Sequence, residues 1–444
     1  MSTPPSPVRL PAGVRDFLPR AAARRRAICE RVLGELEAWG YTRLVTPVFE
    51  CADVLERGLG ADARAAALRF VEPGSGEVVA LRPDFTPQVA RIAATRLADV
   101  AGPLRLCYEG AVNRLTSPTR GPLAQREILQ AGIELIEAGG PEADAEALAV
   151  ASATLAHLGV EAAPLDVGHV APARWVLAAV TEPARAALAA ALGKKDRRAV
   201  ARAAAHSAGG PADVAHRAVP ELAEALVGLA GPAAEVLARA RALPWPDDVH
   251  AALDDLAAAL AGAARLQPGA QFTVDLGEVR GFEYYTGLRF AGYARGAGDA
   301  VLRGGRYDEL VGRYGRPARA VGFAVDIEAI AQAQRAAGMA PPTPSPGALV
   351  IATRDDGARA AAVAATLRAA GVRAAIDLGD AVAADATRIR YAVETGWTHV
   401  LDLAGPTLED TRTRAIAAIS PQAITAAVDG DGDALSRMFG NRRP

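Results

Sequence analysis

The stretch that most constrains the fold is residues 275–335, where strand patterns separated by glycine clusters give way to a helical pattern. Aromatic and β-branched residues bounded by glycines favour β-strands over helix. The predicted strands are residues 286–293, 301–303 and 320–325. Residues 326–335 then switch to helical periodicity, with Asp326 placed to cap the helix N-terminus. The stretch therefore predicts paired strands of an antiparallel sheet followed by a helix.

Small and polar residues crowd the ends of these strands. Glycine is needed where the backbone takes a positive φ or approaches a ligand closely. The glycines here are Gly281, Gly287, Gly304, Gly305 and Gly322. Polar side chains are predicted to converge on the same region from Arg280, Tyr284, Tyr285 and Arg306. Two interpretations stay open: an ordinary core sheet with conformational glycines, or a sheet that forms the floor of a pocket for a small polar ligand.

Composition excludes several classes of protein. With 444 residues, 51% of them hydrophobic, the chain is long enough for two or three domains with sizeable cores. Its formal net charge of −2 gives no overall basic field for nucleic acid. Three widely spaced cysteines, Cys29, Cys51 and Cys107, match neither a disulfide framework nor a zinc site and suit a reducing compartment. No secretory leader or membrane-spanning apolar run is visible, so we expect a cytoplasmic protein.

Two hydrogen-bond acceptors stand at a turn between a predicted strand, residues 78–82, and a predicted helix, residues 88–97. Asp84 and Thr86 lie at the tip of this turn, flanked by prolines that fix the backbone. One interpretation is that they cap the helix. The other is that a carboxylate and a hydroxyl together accept hydrogen bonds from a ligand ammonium.

A second polar pair lies on a predicted strand, residues 125–136, which follows another at residues 104–113. Side chains alternate along a strand, so Gln130 and Glu134 are expected on the same face, about 13 Å apart at ~3.3 Å per residue. Polar residues on one face of a strand usually mean a solvated face. Because these strands are otherwise apolar, the two polar side chains could equally line a pocket.

Other segments indicate the domain organisation. Residues 41–50 are predicted as one strand, and Pro47 within it indicates an edge strand or a subunit contact. Residues 173–265 are almost wholly helical in pattern and predict a subdomain inserted between two halves of the sheet. Residues 337–347 form a Pro-rich linker. Beyond it, residues 348–444 predict a small βαβαβ unit without a Gly-rich phosphate loop.

Several motifs, in this order and with these spacings, resemble the histidyl-tRNA synthetase family: PAGVRDFLP, LRPDFTPQVAR, RLCYEGAVNR, QREILQAGIEL, VRGFEYYTG, GGRYDELV and AVGFAVDIEAI. They are specific together, and they cover residues 11–335. The resemblance implies an α+β fold of the class II aminoacyl-tRNA synthetase type. In this fold, residues 1–336 hold an antiparallel sheet of six or seven strands with flanking helices and the helical insertion. It further implies a dimer through residues 40–50 and a degenerate anticodon-binding-like α/β domain at residues 348–444.

The same resemblance implies an amino-acid site, residue by residue. Asp84 and Thr86 match the positions that hold the α-amino group of histidine, with Asp where the family has Glu. Arg280 matches the arginine of the family's histidine signature, and Glu283 stands where the family has Asp. The implied histidine-binding residues, whether vestigial or regulatory, are Asp84, Thr86, Gln130, Glu134, Arg280, Tyr284 and Tyr285. Carboxylates suit an ammonium and an imidazole, and aromatic walls suit the ring.

The nucleotide side of the implied site departs from the family. Arg114 matches the class-wide arginine and is the implied remnant of the nucleotide site. Thr116, however, stands where the family has the Glu that accepts from the adenine amino group. Ala329 replaces the arginine that grips the γ-phosphate, and Asp326 replaces a glycine. Loss of one charge-assisted phosphate contact costs about 1.5–3 kcal/mol. We therefore expect no adenylation, no catalytic residue, no cofactor and no metal.

A histidine pocket without an ATP grip resembles a synthetase-like family, the regulatory subunits of ATP phosphoribosyltransferase, and LRPDFTPQVAR and QAGIELI are closer to it. That resemblance implies a non-catalytic subunit whose partner is a short-form ATP phosphoribosyltransferase catalytic subunit, at the first step of histidine biosynthesis and under control by histidine. It implies a homodimer within a larger hetero-oligomer, with neither membrane nor tRNA binding. The family commonly lacks a C-terminal domain, which this chain keeps.

The sequence leaves open whether histidine binds this chain or the catalytic partner. It also leaves two alternatives to a regulatory subunit. One is a divergent histidyl-tRNA synthetase, and the other is a synthetase-like module that binds some other partner.

Overall fold

The computed structural model describes residues 9–115, 125–205, 218–279, 284–340, 345–353, 356–378, 385–431 and 439. The chain divides into two compact units: Met1–Asp16 with Arg25–Met339, and Phe17–Arg24 with Ala340–Pro444. Within the described ranges, no helix is both long enough and apolar enough to cross a membrane.

The first unit combines strands and helices along its whole length. Its described strands are β1 (Thr42–Arg43), β2 (Phe49–Cys51), β3 (Arg69–Val71), β4 (Val78–Leu81), β5 (Leu104–Asn113), β6 (Glu127–Ile136), β7 (Leu165–His169), β8 (Ala230–Pro232), β9 (Phe272–Asp275), β10 (Leu288–Gly292), β11 (Leu302–Arg306) and β12 (Ala320–Asp326). Its described helices are α1 (Pro19–Ala38, in this unit from Arg25 onward), α2 (Ala52–Glu56), α3 (Ala61–Ala65), α4 (Thr86–Thr95), α5 (Gly140–His157), α6 (Val170–Ala178), α7 (Ala184–Gly193), α8 (Arg197–Ala204), α9 (Val219–Gly228), α10 (Ala233–Arg241), α11 (Asp247–Leu266) and α12 (Ile327–Ala336).

Nine of these strands form the main sheet, in the order β1-β5-β6-β12-β11-β10-β7-β9-β8. The strands from β5 to β7 in this order run antiparallel to one another, whereas β1 is parallel to β5 and β9 is parallel to β7. The class II antiparallel sheet expected from the sequence is confirmed. Short strands at its two edges raise the number of strands from the expected six or seven to nine. A separate small sheet has the order β2-β4-β3.

The continuous strand predicted over residues 41–50 is wrong. β1 pairs with β5 in the main sheet and β2 pairs with β4 in the small sheet, so the chain crosses from one sheet to the other between them. Pro47 lies in this crossing segment and has no N–H to donate to a neighbouring strand. The carbonyls of Thr46 and Pro47 accept hydrogen bonds from the buried Arg82 instead. The proline therefore marks a change of sheet.

The two faces of the main sheet are covered differently. On what we call the back face, α1, α5, α11 and α12 join alternate strand residues such as Ile133 in one large core. Helices α5 and α11 approach closely there, since a Cβ at Gly262 would lie 2.7 Å from the Cβ of Ala145. On the front face, α4 and a 3-10 turn at Val311–Tyr314 form a smaller apolar cluster with residues such as Tyr108. The candidate site lies on the front face.

Helices also fill the stretch in which the sequence predicts a helical insertion. Helices α6 to α11 occupy most of its described part, with the short strand β8 between α9 and α10. These helices belong to the same compact unit as the main sheet. The predicted limits of an inserted subdomain, residues 173–265, stay a prediction.

The second unit is a small α/β domain. Its described elements are β13 (Gly347–Ile351), α13 (Gly357–Ala369), β14 (Arg373–Ile376), α14 (Asp385–Glu394), β15 (His399–Asp402), β16 (Thr407–Asp410), β17 (Ile416–Ala418) and α15 (Pro421–Val428). The sheet order is β14-β13-β15-β16-β17, with β13 parallel to β14 and β15, and β16 antiparallel to both its neighbours. The sequence pattern predicted the βαβαβ part and missed β16, β17 and α15. Its likeness to an anticodon-binding domain stays a prediction.

Candidate functional site

A cavity of about 280 Å³, which we call the sheet cavity, lies on the front face of the main sheet. The turn before α4, strands β5 and β6, and the chain around Tyr284 contribute to its lining, as do β11 and β12. The predicted site residues that line it are Asp84, Thr86, Arg114, Gln130, Tyr284 and Tyr285. The fold thus brings together residues that are up to two hundred positions apart in the sequence, as the resemblance implied.

Asp84 and Thr86 lie where the turn enters α4. One carboxylate oxygen of Asp84 accepts hydrogen bonds from the backbone N–H and the hydroxyl of Thr86, at 3.2 and 3.3 Å. Its other oxygen lies 3.7 Å from a guanidinium nitrogen of Arg114. Arg114 also donates to the carbonyl of Pro83 at 2.6 Å. The capping interpretation is therefore wrong in its strict sense, because Phe85 is the N-cap of α4 and no described side chain caps the helix. Asp84 instead binds the first residue of the helix, and its other oxygen makes only a long ion pair.

Gln130 and Glu134 lie on β6, opposite Asp326 and Gly322 of β12. Glu134 is only 1% exposed and lies behind the cavity lining. Neither its Oε2 nor the Oε1 of Gln130 has a hydrogen-bond partner in the part of the chain that the structure describes. A Cβ at Gly322 would lie 2.1 Å from Glu134 Oε2, so glycine there leaves room for the carboxylate. Buried acceptors without partners are sites that ligand N–H groups can satisfy.

The protonation state of Glu134 depends mainly on its burial. Removal from water raises the pKa of this carboxyl well above its usual range. The hydroxyls of Thr86 and Tyr108 favour the charged form and oppose this rise, whereas the nearby Asp84 carboxylate adds to it. The free site therefore favours the protonated acid. An imidazolium or ammonium placed beside it would favour the carboxylate.

Three tyrosines form an aromatic wall. The rings of Tyr284 and Tyr285 lie 5.3 Å apart at 79°, and those of Tyr284 and Tyr307 lie 5.6 Å apart. Burial raises the pKa of Tyr284 and of Tyr285 above the usual value, so both hydroxyls stay protonated. The ring of Tyr285 packs over Gly305, where a Cβ would lie 2.6 Å from two ring carbons. Edge-to-face aromatic pairs of this kind suit a planar ring as ligand.

Asp326 has a structural role and also lines the sheet cavity. Its carboxylate accepts a hydrogen bond from the N–H of Ala329 at 2.9 Å, which confirms the predicted N-cap of α12. Burial raises the pKa of Asp326, while the nearby Arg114 and Arg303 oppose that rise. The N-terminus of a helix commonly offers its N–H groups to a bound anion. Here a carboxylate of the chain itself takes that place.

Arg306 does not belong to the sheet cavity, so the expectation that it converges on the pocket is wrong. Its guanidinium binds the carboxylate of Asp144 at 2.7 Å and that of Asp308 at 3.0 Å. This ion pair is buried and fixes β11 to helix α5. Of the other predicted residues, Arg280, Glu283 and Thr116 lie outside the described residues.

The sequence did not single out four further polar residues of the lining: Tyr108, Asp299, Arg303 and Tyr307. Tyr108 pairs with Gly132, midway between Gln130 and Glu134 on β6, so it would be signalled only once the register of β5 and β6 is known. Residues directly opposite each other on antiparallel strands share a face. Arg303 and Asp299 form an exposed ion pair at 2.5 Å, which is ordinary at a surface and gave no such signal.

Comparison with known proteins shows the family of the chain. The family model described as histidyl-tRNA synthetase matches residues 13–330. The ATP phosphoribosyltransferase regulatory subunit of Anaeromyxobacter dehalogenans strain 2CP-1 is 47% identical over 326 residues, 73% of this chain and 90% of that protein. The subunit of the same name from Geobacter metallireducens is 40% identical over 380 residues, 85% of this chain and 86% of that protein. A solved structure from Bacillus halodurans C, an ATP phosphoribosyltransferase regulatory subunit/histidyl-tRNA synthetase, is 26% identical with a TM-score of 0.74, over 90% of this chain and 98% of that one.

These matches also bear on the second unit. The alignment with the Geobacter protein spans 380 residues and is therefore longer than the whole first unit, so it extends into the second. A C-terminal domain is thus compatible with this relationship, although the sequence alone made it look like a departure. On the strength of 47% identity across nine tenths of a curated relative, the chain belongs to the family of ATP phosphoribosyltransferase regulatory subunits, on a histidyl-tRNA synthetase-like fold.

Proposed function

We propose that this chain is the non-catalytic partner of a short-form ATP phosphoribosyltransferase catalytic subunit. It is required for the first step of histidine biosynthesis and for feedback control of that step by histidine. Its close similarity to proteins of that name supports the proposal. The observation that carries it is a cavity with buried acceptors that suit an amino acid. Ala329, which stands where the resemblance implies a phosphate-binding arginine, supports the non-catalytic role.

Acceptor groups in the lining of the sheet cavity and directly behind it support histidine as the ligand. The carboxylate of Asp84 and the hydroxyl of Thr86 suit the α-ammonium. The free acceptor atoms of Gln130 and Glu134 suit the imidazole N–H groups, because they are buried and lack a partner among the described residues. The proposed histidine-binding set is Asp84, Thr86, Gln130, Glu134, Arg280, Tyr284 and Tyr285. Arg114 is the remnant of a nucleotide site.

The nucleotide side argues against adenylation. Ala329 offers a methyl group where the family's arginine would grip the γ-phosphate, and its N–H already binds Asp326. The neighbouring Glu328 forms an ion pair with Arg25 at 2.7 Å. Asp326 adds a carboxylate at the cavity, which opposes a bound triphosphate, whereas Arg114 and Arg303 in the same lining favour one. Histidine would then bind without being activated.

Exposed apolar side chains support the proposed assembly. They cluster on the small sheet and on the crossing segment that leads to it: Val45, Val48, Phe49, Phe70, Val71 and Val78. Val45 is 81% exposed, and a group of exposed apolar side chains such as this one is typical of an interaction surface. We propose a homodimer through residues 40–50, within a larger hetero-oligomer that contains the transferase.

Reconstitution tests the proposal. The short-form transferase of the same organism is assayed alone, with this chain, and with an unrelated dimeric protein as control. We expect activity only with this chain, lost on addition of histidine, and no histidine-dependent exchange of pyrophosphate into ATP by this chain alone. Exchange well above a no-enzyme control, together with no effect on the transferase, would establish a divergent histidyl-tRNA synthetase instead. The match to the synthetase family model makes that the second candidate.

A further inference from the structure

Arg82 is an unusual buried cation. It is 5% exposed and forms no ion pair with a carboxylate among the described residues. Burial of a charge without an opposite charge destabilises a fold unless hydrogen bonds compensate for the lost water. The acceptors that surround its guanidinium therefore show which parts of the chain depend on this residue, because hydrogen bonds to them replace the lost water.

The guanidinium of Arg82 joins two separate pieces of chain. Its Nε donates to the carbonyl of Ala111 on β5 at 2.8 Å. One of its terminal nitrogens donates to the carbonyl and hydroxyl of Thr46 at 3.1 and 2.9 Å, and to the carbonyl of Pro47 at 3.3 Å. The backbone N–H of Arg82 also donates to the carbonyl of Val48 at 3.0 Å. The crossing segment between β1 and β2 is thus fixed to β5 through one side chain.

The same guanidinium contacts the cavity through two aromatic rings. Its Cζ lies 4.0 Å from the ring centroid of Phe85, which stands between Asp84 and Thr86 in the sequence. The ring of Phe85 stacks on that of Tyr108 at 4.3 Å and 15°, and Tyr108 lines the cavity. This contact path is continuous from the crossing segment to the cavity wall.

Gly110 provides the space for this arrangement. A Cβ on Gly110 would lie 2.4 Å from a nitrogen of Arg82 and 2.9 Å from the ring of Phe85. The backbone at Gly110 also has a φ of 151°, which side-chain-bearing residues rarely adopt. A glycine on β5 therefore lets the guanidinium and the ring approach the strand together.

We propose that Arg82 is a positioning residue for the ligand site, and that it links the crossing segment at Thr46 and Pro47 to the turn that carries Asp84 and Thr86. Release of either end shifts Phe85 and with it the two acceptors beside Phe85. The proposal rests on the proposed function in one respect: the turn is taken to hold the ammonium of histidine. It also makes the crossing segment, which carries the exposed Val45, a place from which contacts reach the cavity.

Hydrogen exchange on the full-length protein tests the link without any ligand. Arg82→Met removes every side-chain hydrogen bond and keeps much of the volume. We expect faster exchange both in residues 44–48 and in residues 83–88, with the rest of the first unit unchanged. Arg105→Met is the matched control, since Arg105 also bridges β5 to another element, binding Glu146 through two bonds of 2.7 Å, away from the crossing segment. If only one of the two segments, or neither, exchanges faster than in the control, Arg82 does not link them.

Calorimetric titration with histidine tests the effect on binding. Thr46→Val removes an acceptor of Arg82 at a residue outside the cavity lining and keeps the side-chain shape, so it serves even if Arg82→Met folds poorly. Coupling of this kind changes affinity by about two- to thirtyfold. We expect both variants to bind histidine more weakly within that range, with Arg105→Met unchanged. Wild-type affinity in Thr46→Val and Arg82→Met would overturn the positioning role.

The two arms separate this inference from the proposed function. If the wild-type protein takes up no histidine, the assigned ligand is wrong, and the exchange experiment alone decides whether Arg82 links the two segments. If histidine binds and exchange changes in only one segment, the function stands and the positioning role fails. Arg82→Lys should show more exchange protection than Arg82→Met and less than wild type, because lysine keeps the charge but cannot reach all the acceptors.

Discussion

Replacement of Glu134 by glutamine should make the free protein more stable at neutral pH, although it removes a residue assigned to ligand binding. The carboxyl is 1% exposed, and its Oε2 has no partner among the described residues. Glutamine keeps the shape of the side chain and cannot ionise. The change therefore removes the free-energy cost of holding a proton on the buried carboxyl, or of ionising it there, and leaves the packing over Gly322 in place.

The sign of the pH dependence follows from where the proton is held. Burial raises the pKa of Glu134 in the folded protein well above its value in the unfolded chain, which is about 4.3. Between these two values the folded protein keeps a proton that the unfolded chain has lost. The stability due to that proton is complete below the unfolded pKa and is lost as the pH rises through the folded pKa. The loss amounts to about 1.4 kcal/mol for each pH unit between the two.

Scanning calorimetry of the free protein measures this difference. We expect Glu134→Gln and wild type to unfold at similar temperatures near pH 4 and to diverge as the pH rises, with the variant more stable at about pH 8. Glu127→Gln, on the exposed start of the same strand, is the control and should show no such divergence. A variant that is less stable than wild type at about pH 8, or a difference that does not change with pH, would refute the assignment of Glu134 as a buried acid with a raised pKa.

Three further predictions use the same site and the second unit. Gly322→Ala should lower the free energy of unfolding by about 1–3 kcal/mol in a denaturation experiment, because the new methyl group would meet Glu134 Oε2, whereas Gly298→Ala, with open space around it, should not. Asp84→Ala should weaken histidine binding several-fold in calorimetry; if the inhibition curve of the reconstituted transferase nevertheless stays unchanged, feedback sensing belongs to the partner. Labelled histidine tRNA should not bind specifically near physiological salt, and sub-micromolar binding that is lost on truncation before Ala340 would contradict this.

The parts of the fold that the sequence predicted are those with a strong local pattern. The bounds predicted for β5 match the structure, and the start and cap of α12 follow from Asp326 as expected. Local sequence patterns gave wrong predictions where a residue far away in the sequence determines the position of a side chain or the end of a strand. Arg306 alternates like a pocket residue, but Asp144, far away in the sequence, draws it into a buried ion pair. The break at Pro47 likewise depends on Arg82, which no local period could reveal.

Part of the candidate site could be predicted from sequence motifs and from the alternation of side chains along a strand. Asp84, Thr86, Gln130 and the tyrosine pair were singled out from the turn and strand patterns and again by resemblance, and the structure places all of them at one cavity. Tyr108 was missed because its role depends on the register of β5 against β6. Register is set by long-range pairing, so it becomes visible only when both strands are in place.

The unequal covering of the main sheet has a mechanical consequence. On the back face, α5 and α11 meet through alanine and glycine at a distance that leaves no free volume, and close-packed interiors of this kind resist compression. On the front face, the sheet cavity interrupts the packing, and the aromatic rings beside it have space on one side. A force applied to the sheet would therefore deform the front face first. The back face is therefore the more rigid of the two, and the sheet cavity is where we expect the described part of the sheet to yield most easily.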